Sequence, residues 1–292
     1  MKILDGKKTS LDTQDELGTK VKKLLEKGLK APHLAAVLVG DNGASRTYVN
    51  AKVKACERVG FKSTLHQLDT DITQEELLSV VNQLNNDDAI DGFIVQLPLP
   101  EHIDEDQITL SINPNKDVDG FHPENDGKMT LGLPSFLPAT PNGIMEILKR
   151  YNIATEGKNT VVIGRSNIVG TPVSILMSRK SNPGNSTVTL AHSRTKNLKD
   201  ICLNADILIV AIGIPEFISA DMVKPNAVVI DVGIHRMEDS SKKSGFRLLG
   251  DVKFDEVSKI SSFITPVPGG VGPMTIASLL MNTYLACIEK NK

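Results

Sequence analysis

The sequence predicts an α/β protein of two domains with mainly parallel sheets. Short apolar runs alternate with amphipathic helical patterns from near residue 12 to near residue 290, and this alternation is typical of chains in which helices connect parallel strands. The length of 292 residues is about twice that of a typical domain. We therefore expect two domains, each large enough to bury its own core.

Helical segments are predicted where apolar residues recur every three to four positions, so that each segment would bury one face. Clusters of Gly, Pro, Asn and Asp separate these segments from the neighbouring apolar runs. The predicted helices span residues 12–29, 44–59, 73–85, 142–151, 169–180, 196–203, 219–223 and 273–289.

Strands are predicted where short runs of β-branched and apolar residues occur, such as AVVIDVG, because strands of parallel sheets are buried on both faces. Between residues 98 and 141 neither pattern holds, and the stretch is rich in Pro, Gly, Asn and Asp. We interpret it as an ordered loop and domain connection with a functional role. The predicted strands span residues 34–40, 61–68, 92–97, 159–164, 186–192, 206–213, 227–233 and 263–267.

Charge and hydropathy exclude several classes of partner. The chain has 33 basic and 35 acidic residues and a net charge of −2, which argues against nucleic acid and against a polybasic membrane contact. No stretch approaches the roughly 18 apolar residues of a membrane span, and the segment MKILDGKKTSLDTQDE has no apolar core of the kind a signal peptide needs. We expect a soluble protein of the cell interior.

No metal site is predicted. Residues 115–126 mimic a calcium loop, but Asp126 stands where a bidentate Glu is expected and Pro123 occupies the ninth position. A zinc site or a disulfide framework would show closely paired cysteines. The three cysteines are scattered, and we expect reduced, mostly buried thiols at Cys56, Cys202 and Cys287.

The predicted helix SRTYVNAKVKACERVG contains a lysine on its apolar side. At about 100° per residue, Val53, Cys56 and Val59 share one arc with Val49, and Lys52 falls between Val59 and Cys56. The helix has a separate polar face and does not need Lys52 to make one. The lysine is either a buried stem whose amine reaches water or a functional group. Two polar residues share its side of the helix, Ser45 and Tyr48.

The motif VVIGRSNIVGTP indicates a dinucleotide site at a turn from a strand into a helix. Gly164 permits a tight turn, Gly170 lets the helix pack close to the strand, and the start of the helix offers N–H groups to a pyrophosphate. Ser166 replaces the middle glycine of the usual fingerprint, and glycine turns of this kind also occur without a ligand. GxxxxGK is absent from the sequence, which argues against a P-loop ATP site.

Basic and hydroxyl side chains favour NADP over NAD. After the next predicted strand, where an NAD enzyme carries an acidic residue for the ribose, the sequence has Ser193, Arg194 and Thr195, and Arg165 follows the first glycine. Two guanidinium groups without a carboxylate suit a 2′-phosphate. The alternative is a pair of solvated surface arginines.

Two further segments concentrate polar or conformationally special residues. Gln96 ends a predicted strand, at the edge where open α/β sheets bind ligands, and Asp117 and Asp119 follow in the loop NPNKDVDG. An Asp there is suited to accept N–H donors from an aminopyrimidine-like ring, although such residues also serve turns. ITPVPGGVGPMT, residues 264–275, is a stiff turn against which a flat ligand could lie, or a plain domain connection.

Together these motifs resemble the bifunctional methylenetetrahydrofolate dehydrogenase/cyclohydrolase family. The resemblance implies two α/β domains, a folate-binding catalytic domain of residues 1–140 and 270–292 and a Rossmann-like NADP-binding domain of residues 141–269. The final helix would return to the first domain, and the protein would be a cytoplasmic homodimer. The resembling stretches run in the family's order: SRTYVNAKVKACERVGF, DGFIVQLPLP, NPNKDVDGFHPEN, VVIGRSNIVGTP, HSRT, VVIDVGIHR and PVPGGVGPMT.

The resemblance also implies residue roles. Lys52 matches the catalytic lysine, Tyr48 the residue that stacks on the folate, Gln96 the partner of the lysine and Asp119 the pterin-binding carboxylate. His235 and Ile212 differ from the residues the family often has, and both are expected near the nicotinamide. Substrate contacts are implied for Val95, Leu97, Pro268, Gly269, Gly270, Val271 and Gly272, and cofactor contacts for Gly164, Arg165, Ser166, Ser193, Arg194, Thr195, Gly213 and Ile234.

The implied reaction is oxidation of 5,10-methylenetetrahydrofolate by NADP, followed by hydrolysis to 10-formyltetrahydrofolate, in the one-carbon metabolism that supplies purine, methionine and histidine biosynthesis. Hydrolysis needs a base or proton shuttle. We predict that burial and the substrate cation lower the pKa of Lys52, against a hydrogen bond accepted by Gln96. Alternatives are a dehydrogenase without the hydrolytic step, a shikimate-type dehydrogenase and a non-enzymatic NADP-binding module.

Overall fold

The computed structural model describes residues 1–242 and 245–290 and contains two compact units. The three-stranded unit comprises residues 11–139 and the chain from 276 onward, and the six-stranded unit comprises residues 1–10 and 140–275. Every strand pair in both main sheets is parallel. The predicted fold class of two α/β domains with mainly parallel sheets is therefore confirmed.

The elements alternate between strand and helix along most of the chain. A short 3-10 helix, Ala220–Met222, interrupts this alternation. In chain order they are β1 (Lys2–Ile3), α1 (Gly6–Glu26), β2 (His33–Val39), α2 (Gly43–Val59), β3 (Lys62–Leu68), α3 (Gln74–Asn86), β4 (Gly92–Val95), α4 (Glu105–Ser111), α5 (Pro123–Leu131), α6 (Ala139–Arg150), β5 (Asn159–Ile163), α7 (Gly170–Ser178), β6 (Thr187–Ala191), α8 (Leu198–Leu203), β7 (Ile207–Val210), β8 (Val228–Asp231), β9 (His235–Glu238), β10 (Phe246–Leu249), α9 (Phe254–Val257), β11 (Phe263–Ile264) and α10 (Val271–Lys290).

The three-stranded sheet has the order β3-β2-β4 and a core on each face. One core joins residues of α2 and α10, such as Cys56 and Leu280, to the sheet, and the other joins residues of α3 and α4, such as Leu77 and Ile108. A bridge between Phe93 and Asp117 brings the segment after α4 alongside β4. This bridge places that segment at the same sheet as Gln96, which follows β4 directly.

The six-stranded sheet has the order β1-β11-β8-β7-β5-β6. Strand β6 lies on one side of β5 and β7 on the other, so the direction of strand succession reverses beside β5. Open α/β sheets bind ligands outside the carboxyl ends of the strands at such a reversal. The turns that follow β5 and β7 therefore occupy the binding position of this sheet.

The boundaries of the two units differ from the expected domain limits at residues 1–10 and 270–275. Strand β1 pairs with β11, and the N–H of Lys7 donates to the carbonyl of Gly269 at 2.8 Å. These contacts attach the first residues of the chain to the six-stranded unit. Helix α10 returns to the three-stranded unit, as predicted, where Leu279 and Leu280 pack in its core.

The stretch from 98 to 141, which we expected to be loop, contains two short helices. Helix α4 begins after Asp104, whose carboxylate accepts from the N–H of Gln107 at 3.0 Å, and α5 ends at Gly132 in the left-handed conformation. Both helices are held by their caps and are too short for a periodic apolar pattern. The antiparallel hairpin β9–β10 was also not predicted, because its residues are largely exposed.

Helix α10 corrects the expectation that no segment is long and apolar enough to cross a membrane. Among the described residues it alone passes that test of length and composition, and 56% of its apolar window is buried within the protein. Its Asn282 side chain is buried and donates to the carbonyls of Val118 and Leu137. These features are typical of a core helix. The three cysteines are free and buried, as predicted.

Candidate active site

Helix α2 places Lys52 among buried side chains, as its position in the sequence predicted. Val49 and Cys56 are fully buried, and Lys52 itself is 8% exposed. The ammonium does not extend into water, because its Nζ donates to Oε1 of Gln96 at 3.0 Å. The polar face of the helix is exposed and consists of Asn50, Lys54, Glu57 and Arg58.

Gln96 is held in one orientation by its own hydrogen bonds. Its backbone N–H donates to the carbonyl of Val37 at 2.9 Å, which continues the pairing of β4 with β2. Its side-chain Nε2 donates to the carbonyl of Leu97 at 2.6 Å, so Oε1 is the atom presented to Lys52. The neighbouring residues Val95 and Leu97 line one small cavity together with Asp119.

Asp119 lies in a turn that Asp117 organises. The buried carboxylate of Asp117 accepts from the N–H groups of Gly120 and His122 and from the side chain of Asn125. Gly120 has a φ of +75°, and a Cβ there would lie 2.7 Å from the backbone nitrogen of Pro138. The Asp119 carboxylate, partly buried, makes no hydrogen bond within the described residues. Asp117 therefore serves the turn, and Asp119 is the carboxylate left for a ligand.

Lys52 and Asp119 influence each other electrostatically. Burial lowers the pKa of Lys52, as predicted, and the negative charge of Asp119 opposes that shift. Burial raises the pKa of Asp119, and the positive charge of Lys52 opposes that increase. The hydrogen bond to Gln96 that the sequence predicted is present, and the charge of Asp119 is a second influence that was not predicted and that also favours the protonated lysine.

The other polar residues near Lys52 on α2 differ in exposure. Ser45 is 4% exposed, and its N–H donates to Oδ1 of Asn42 at the start of the helix. Tyr48 is 38% exposed, so its ring is accessible to a ligand. Burial of the rest of the side chain raises the pKa of the Tyr48 hydroxyl.

The glycine-rich segment after β11 packs closely against other backbone of the protein, and this packing accounts for some of its glycines. A Cβ on Gly270 would lie 2.5 Å from the carbonyl oxygen of Pro266, and a Cβ on Gly6 would lie 1.8 Å from the carbonyl oxygen of Gly270. Gly269 has a φ of +102°. In contrast, nothing lies near the Cβ position of Gly272. Packing against Pro266 therefore explains Gly270, packing against Gly270 explains Gly6, and the space beside Gly272 is open.

The turn between β5 and α7 has the close backbone approaches that its glycines predicted. A Cβ on Gly164 would lie 2.0 Å from the carbonyl oxygen of Ala211, and one on Gly170 would lie 1.9 Å from the carbonyl oxygen of Gly164. The first N–H groups of α7 are not free, however. Those of Val169 and Gly170 donate to Oγ of Ser166 at 3.2 and 3.4 Å. The exposed Ser166 hydroxyl therefore stands at the amino end of this helix with its own hydrogen available.

Arginine side chains lie at the carboxyl edge of two adjacent strands. Arg165 follows β5, Arg194 follows β6, and both are exposed. Neither guanidinium group forms an ion pair in the part of the chain that the structure describes. The turn carrying Arg194 is closed by Thr195, whose hydroxyl accepts from the N–H of His192 at 2.9 Å. Ser193 is exposed in the same turn.

A buried polar network beneath the turns after β7 and β8 was not identified from the sequence. Asp251, fully buried, accepts from the N–H groups of Ile212 and Gly213 and from Nε2 of His235. Asp231, at the end of β8, accepts from the N–H of Asp251 at 2.9 Å. The only signal in the sequence is a pair of aspartates, each following an apolar run and next to small residues. Gly213 and Ile234, beside this network, are exposed.

Models of two protein domains match nearly the whole chain. Residues 4–119 match the catalytic domain of tetrahydrofolate dehydrogenase/cyclohydrolase, and residues 138–291 match the NAD(P)-binding domain of the same enzyme. The chain belongs to the tetrahydrofolate dehydrogenase/cyclohydrolase family. The expectation drawn from its motifs is therefore confirmed at the level of the family.

Relatives in this family match the chain from end to end. The bifunctional protein FolD of Cytophaga hutchinsonii is 66% identical over 290 residues, covering 99% of this chain and 100% of the relative. The crystal structure of the bifunctional FolD enzyme from Campylobacter jejuni is 51% identical, with a TM-score of 0.92 and 99% of each chain covered. The Trypanosoma brucei enzyme, solved with NADP cofactor and inhibitor, is 38% identical, with a TM-score of 0.93 and coverage of 99% and 97%.

This member of the tetrahydrofolate dehydrogenase/cyclohydrolase family is a bifunctional enzyme, a methylenetetrahydrofolate dehydrogenase and a methenyltetrahydrofolate cyclohydrolase. The alternative of a dehydrogenase without the hydrolytic step is not favoured. The three-stranded unit brings together the predicted residues Lys52, Gln96 and Asp119, and the six-stranded unit carries the predicted dinucleotide turn.

Proposed function

We propose that Lys52 is the proton-transfer group in the hydrolysis of 5,10-methenyltetrahydrofolate, and that the enzyme produces this substrate by oxidising 5,10-methylenetetrahydrofolate with NADP. The observation that carries the proposal is the buried Nζ of Lys52, held at 3.0 Å from Oε1 of Gln96. An amine with a pKa lowered by burial exchanges protons near neutral pH more readily than an exposed lysine does.

NADP is the cofactor, and the six-stranded unit fits it. A Cβ at Gly164 or Gly170 would meet the protein's own backbone, so these glycines form the tight turn after β5 beside which dinucleotide-binding sheets hold a pyrophosphate. The hydroxyl of Ser166 would donate to a phosphate oxygen, and Arg165 and Arg194 would neutralise the 2′-phosphate. The chemistry that bound NADP would supply is the acceptance of a hydride from the methylene carbon, which would leave the cationic methenyl group. Ser193, Thr195, Gly213 and Ile234 are further proposed contacts.

Hydrolysis adds water to the methenyl carbon and releases one proton. Neutral Lys52 accepts that proton, and Gln96 keeps the amine in place through its fixed Oε1. Asp119 accepts hydrogen bonds from N–H groups of the pterin ring. These hydrogen bonds weaken the electrostatic attraction between the Asp119 carboxylate and the protonated Lys52. Substrate binding thereby lowers the pKa of Lys52 further, because both the lost influence of Asp119 and the substrate cation act in the same direction.

The remaining proposed substrate contacts supply position and shape. The half-exposed ring of Tyr48 stacks on the folate. Val95 and Leu97 flank Gln96, and the segment Pro268 to Gly272, with Val271 in it, forms a surface of little side-chain bulk. We expect the enzyme to act as a cytoplasmic homodimer in one-carbon metabolism, supplying purine, methionine and histidine biosynthesis.

The decisive experiment follows both steps in the same protein. Methylenetetrahydrofolate is offered with NADP and then with NAD, and loss of the methenyl absorbance is followed separately without cofactor. We expect Lys52→Met to lose hydrolysis by at least roughly a hundred-fold, the loss typical of removing a proton-transfer group, and to keep the wild-type affinity for NADPH. Lys54→Met, on the exposed face of the same helix, is the control. Hydrolysis by Lys52→Met at the wild-type rate would refute the assignment.

A further inference from the structure

Asp251 is a fully buried carboxylate with three donors from two different loops. Its Oδ2 accepts from the N–H of Ile212 at 2.8 Å and of Gly213 at 3.1 Å, in the turn after β7. Its Oδ1 lies 2.7 Å from Nε2 of His235, at the start of β9. Since an ionised carboxylate only accepts, the imidazole donates through Nε2. One side chain therefore connects the chain after β7 with the chain after β8.

The segment that carries Asp251 is itself fixed to the sheet. The carboxylate of Asp231 accepts from the N–H groups of Asp251 and Val252 at 2.9 and 3.0 Å. A Cβ on Gly250 would lie 1.8 Å from Oδ2 of Asp231, and one on Gly233 would lie 2.4 Å from Cγ of Asp251. Only glycine fits at these two positions. The end of β8 thus holds Asp251, and Asp251 holds the two loops.

Both loops lie at the carboxyl edge of the six-stranded sheet and expose apolar surface. Gly213 has a φ of +71° and an open Cβ position, and the following Ile214 is 49% exposed. Ile234, next to His235, is 47% exposed. The N–H groups of Ile212 and Gly213 point at Asp251, so they are occupied and unable to bind a phosphate. What these loops offer a ligand is a shaped apolar surface whose position depends on Asp251 and His235.

We infer that Asp251 and His235 are positioning residues for NADP, forming a carboxylate–imidazole bridge that fixes Gly213 and Ile234 against the cofactor. This inference rests on the proposed function, because it takes Gly213 and Ile234 to be cofactor contacts. Without the imidazole, Oδ1 of Asp251 would remain buried without its donor. The carboxylate would then shift or draw in water, and the turn at Ile212 and Gly213 would move with it.

The test compares two substitutions of His235 in the full-length enzyme. His235→Phe keeps a ring of similar shape but has no N–H donor, and His235→Gln keeps a donor at about the reach of Nε2. The dissociation constant of NADPH is measured directly by the change in its fluorescence, without folate. Hydrolysis of methenyltetrahydrofolate without cofactor is measured in the same samples. Lys224→Met is the control, since it breaks an ion pair with Asp206 in the same unit.

We expect His235→Phe to bind NADPH roughly ten-fold more weakly, the change that accompanies the loss of one charge-assisted hydrogen bond. His235→Gln should recover most of that affinity, and Lys224→Met should match the wild type. Lys224→Met should also hydrolyse methenyltetrahydrofolate at the wild-type rate. If His235→Phe does not fold, His235→Ala provides the same measurement.

Wild-type affinity for NADPH in the variant without a donor would overturn the inference. An equal loss in His235→Gln would overturn it as well, because the ring and not its N–H would then matter. Failure of the wild-type enzyme to bind NADPH would instead refute the proposed function, and the two failures are therefore distinguishable.

Discussion

Replacing Lys52 with Met should stabilise the fold at neutral pH although it removes the proposed catalytic group. Lys52 is 8% exposed, and its ammonium donates a hydrogen bond to Gln96. Its pKa in the folded protein is lowered by burial from the ordinary value of 10.5. Between the folded and the unfolded pKa, the unfolded chain therefore binds more protons, and the free energy of unfolding rises with pH through that window.

The size of the effect follows from what Met removes and what it keeps. Met fills nearly the same volume without a charge, and it removes the desolvation penalty of the buried ammonium, which is on the order of a few kcal/mol per buried ion. Against this, Gln96 loses its donor, which costs about 1 kcal/mol. Asp119 loses the opposing positive charge, so the pKa of its carboxyl rises further. We expect a net gain of about 1–2 kcal/mol in the free energy of unfolding at pH 7.

Urea unfolding of the wild type, Lys52→Met and the control Lys54→Met at several pH values measures this gain. The advantage of Lys52→Met should shrink as the pH rises towards 10.5, the pKa of the unfolded lysine, and reach its minimum above that value, where the wild-type lysine is neutral in both states. Lys54→Met should show no such dependence, because Lys54 is exposed. A Lys52→Met protein that is less stable than the wild type at pH 7, or whose advantage does not change with pH, would refute the reasoning.

Three other predictions concern the dinucleotide turn, the choice of cofactor and a buried carboxylate. Gly170→Ala should lower the free energy of unfolding by about 1–3 kcal/mol and weaken NADPH binding, because its Cβ would lie 1.9 Å from the carbonyl oxygen of Gly164. Urea unfolding measures the stability, and fluorescence titration measures the affinity for NADPH. Unchanged affinity would contradict the proposed pyrophosphate contact. Arg194→Ala should raise KM for NADP roughly ten-fold, the equivalent of one lost charge-assisted contact, and leave KM for NAD unchanged; an equal change in both would show that Arg194 does not bind the 2′-phosphate. Asp126→Asn should stabilise the protein at pH 7, because burial raises the pKa of Asp126 to about 6 and its Oδ1 is buried with no hydrogen-bond partner among the described residues. Between about pH 4 and 6 the Asp126 carboxyl is protonated more in the folded state than in the unfolded state, so the free energy of unfolding falls as the pH rises through that window. Above the window the full loss, about 1 kcal/mol for this partly exposed group, is reached. The gain in Asp126→Asn should therefore vanish below pH 4, and a gain independent of pH would contradict the assignment.

The strands were predictable because a buried parallel strand is a continuous apolar run. Strands β2, β5 and β7 all begin or end within a few residues of the predicted limits. Helices α4 and α5, of 7 and 9 residues, were not predicted, because their stability comes from caps and from neighbouring segments. The start of α1 at Gly6 was also missed, since Gly6 packs against the carbonyl oxygen of Gly270, far along the chain.

The candidate site was predictable where a residue contradicts its local pattern. Lys52 interrupts an apolar arc, and Gly164 and Gly170 have spacings that only a tight strand-to-helix turn explains. Asp251 interrupts no pattern, because its partner Ile212 is 39 residues away. No arithmetic on a short window of sequence could have identified it.

The sequence by itself determined the fold class, the buried position of Lys52 and the tight glycine turn proposed to receive the dinucleotide, because hydrophobic periodicity and glycine spacing are local properties of the chain. The tertiary structure alone decided that β1 joins the second sheet, that Asp119 is the charge acting on Lys52, and that Asp251 holds two loops together. All three features depend on contacts between segments that are far apart in the sequence. The electrostatic and hydrogen-bonding partners of a buried group are therefore fixed only when those segments pack together.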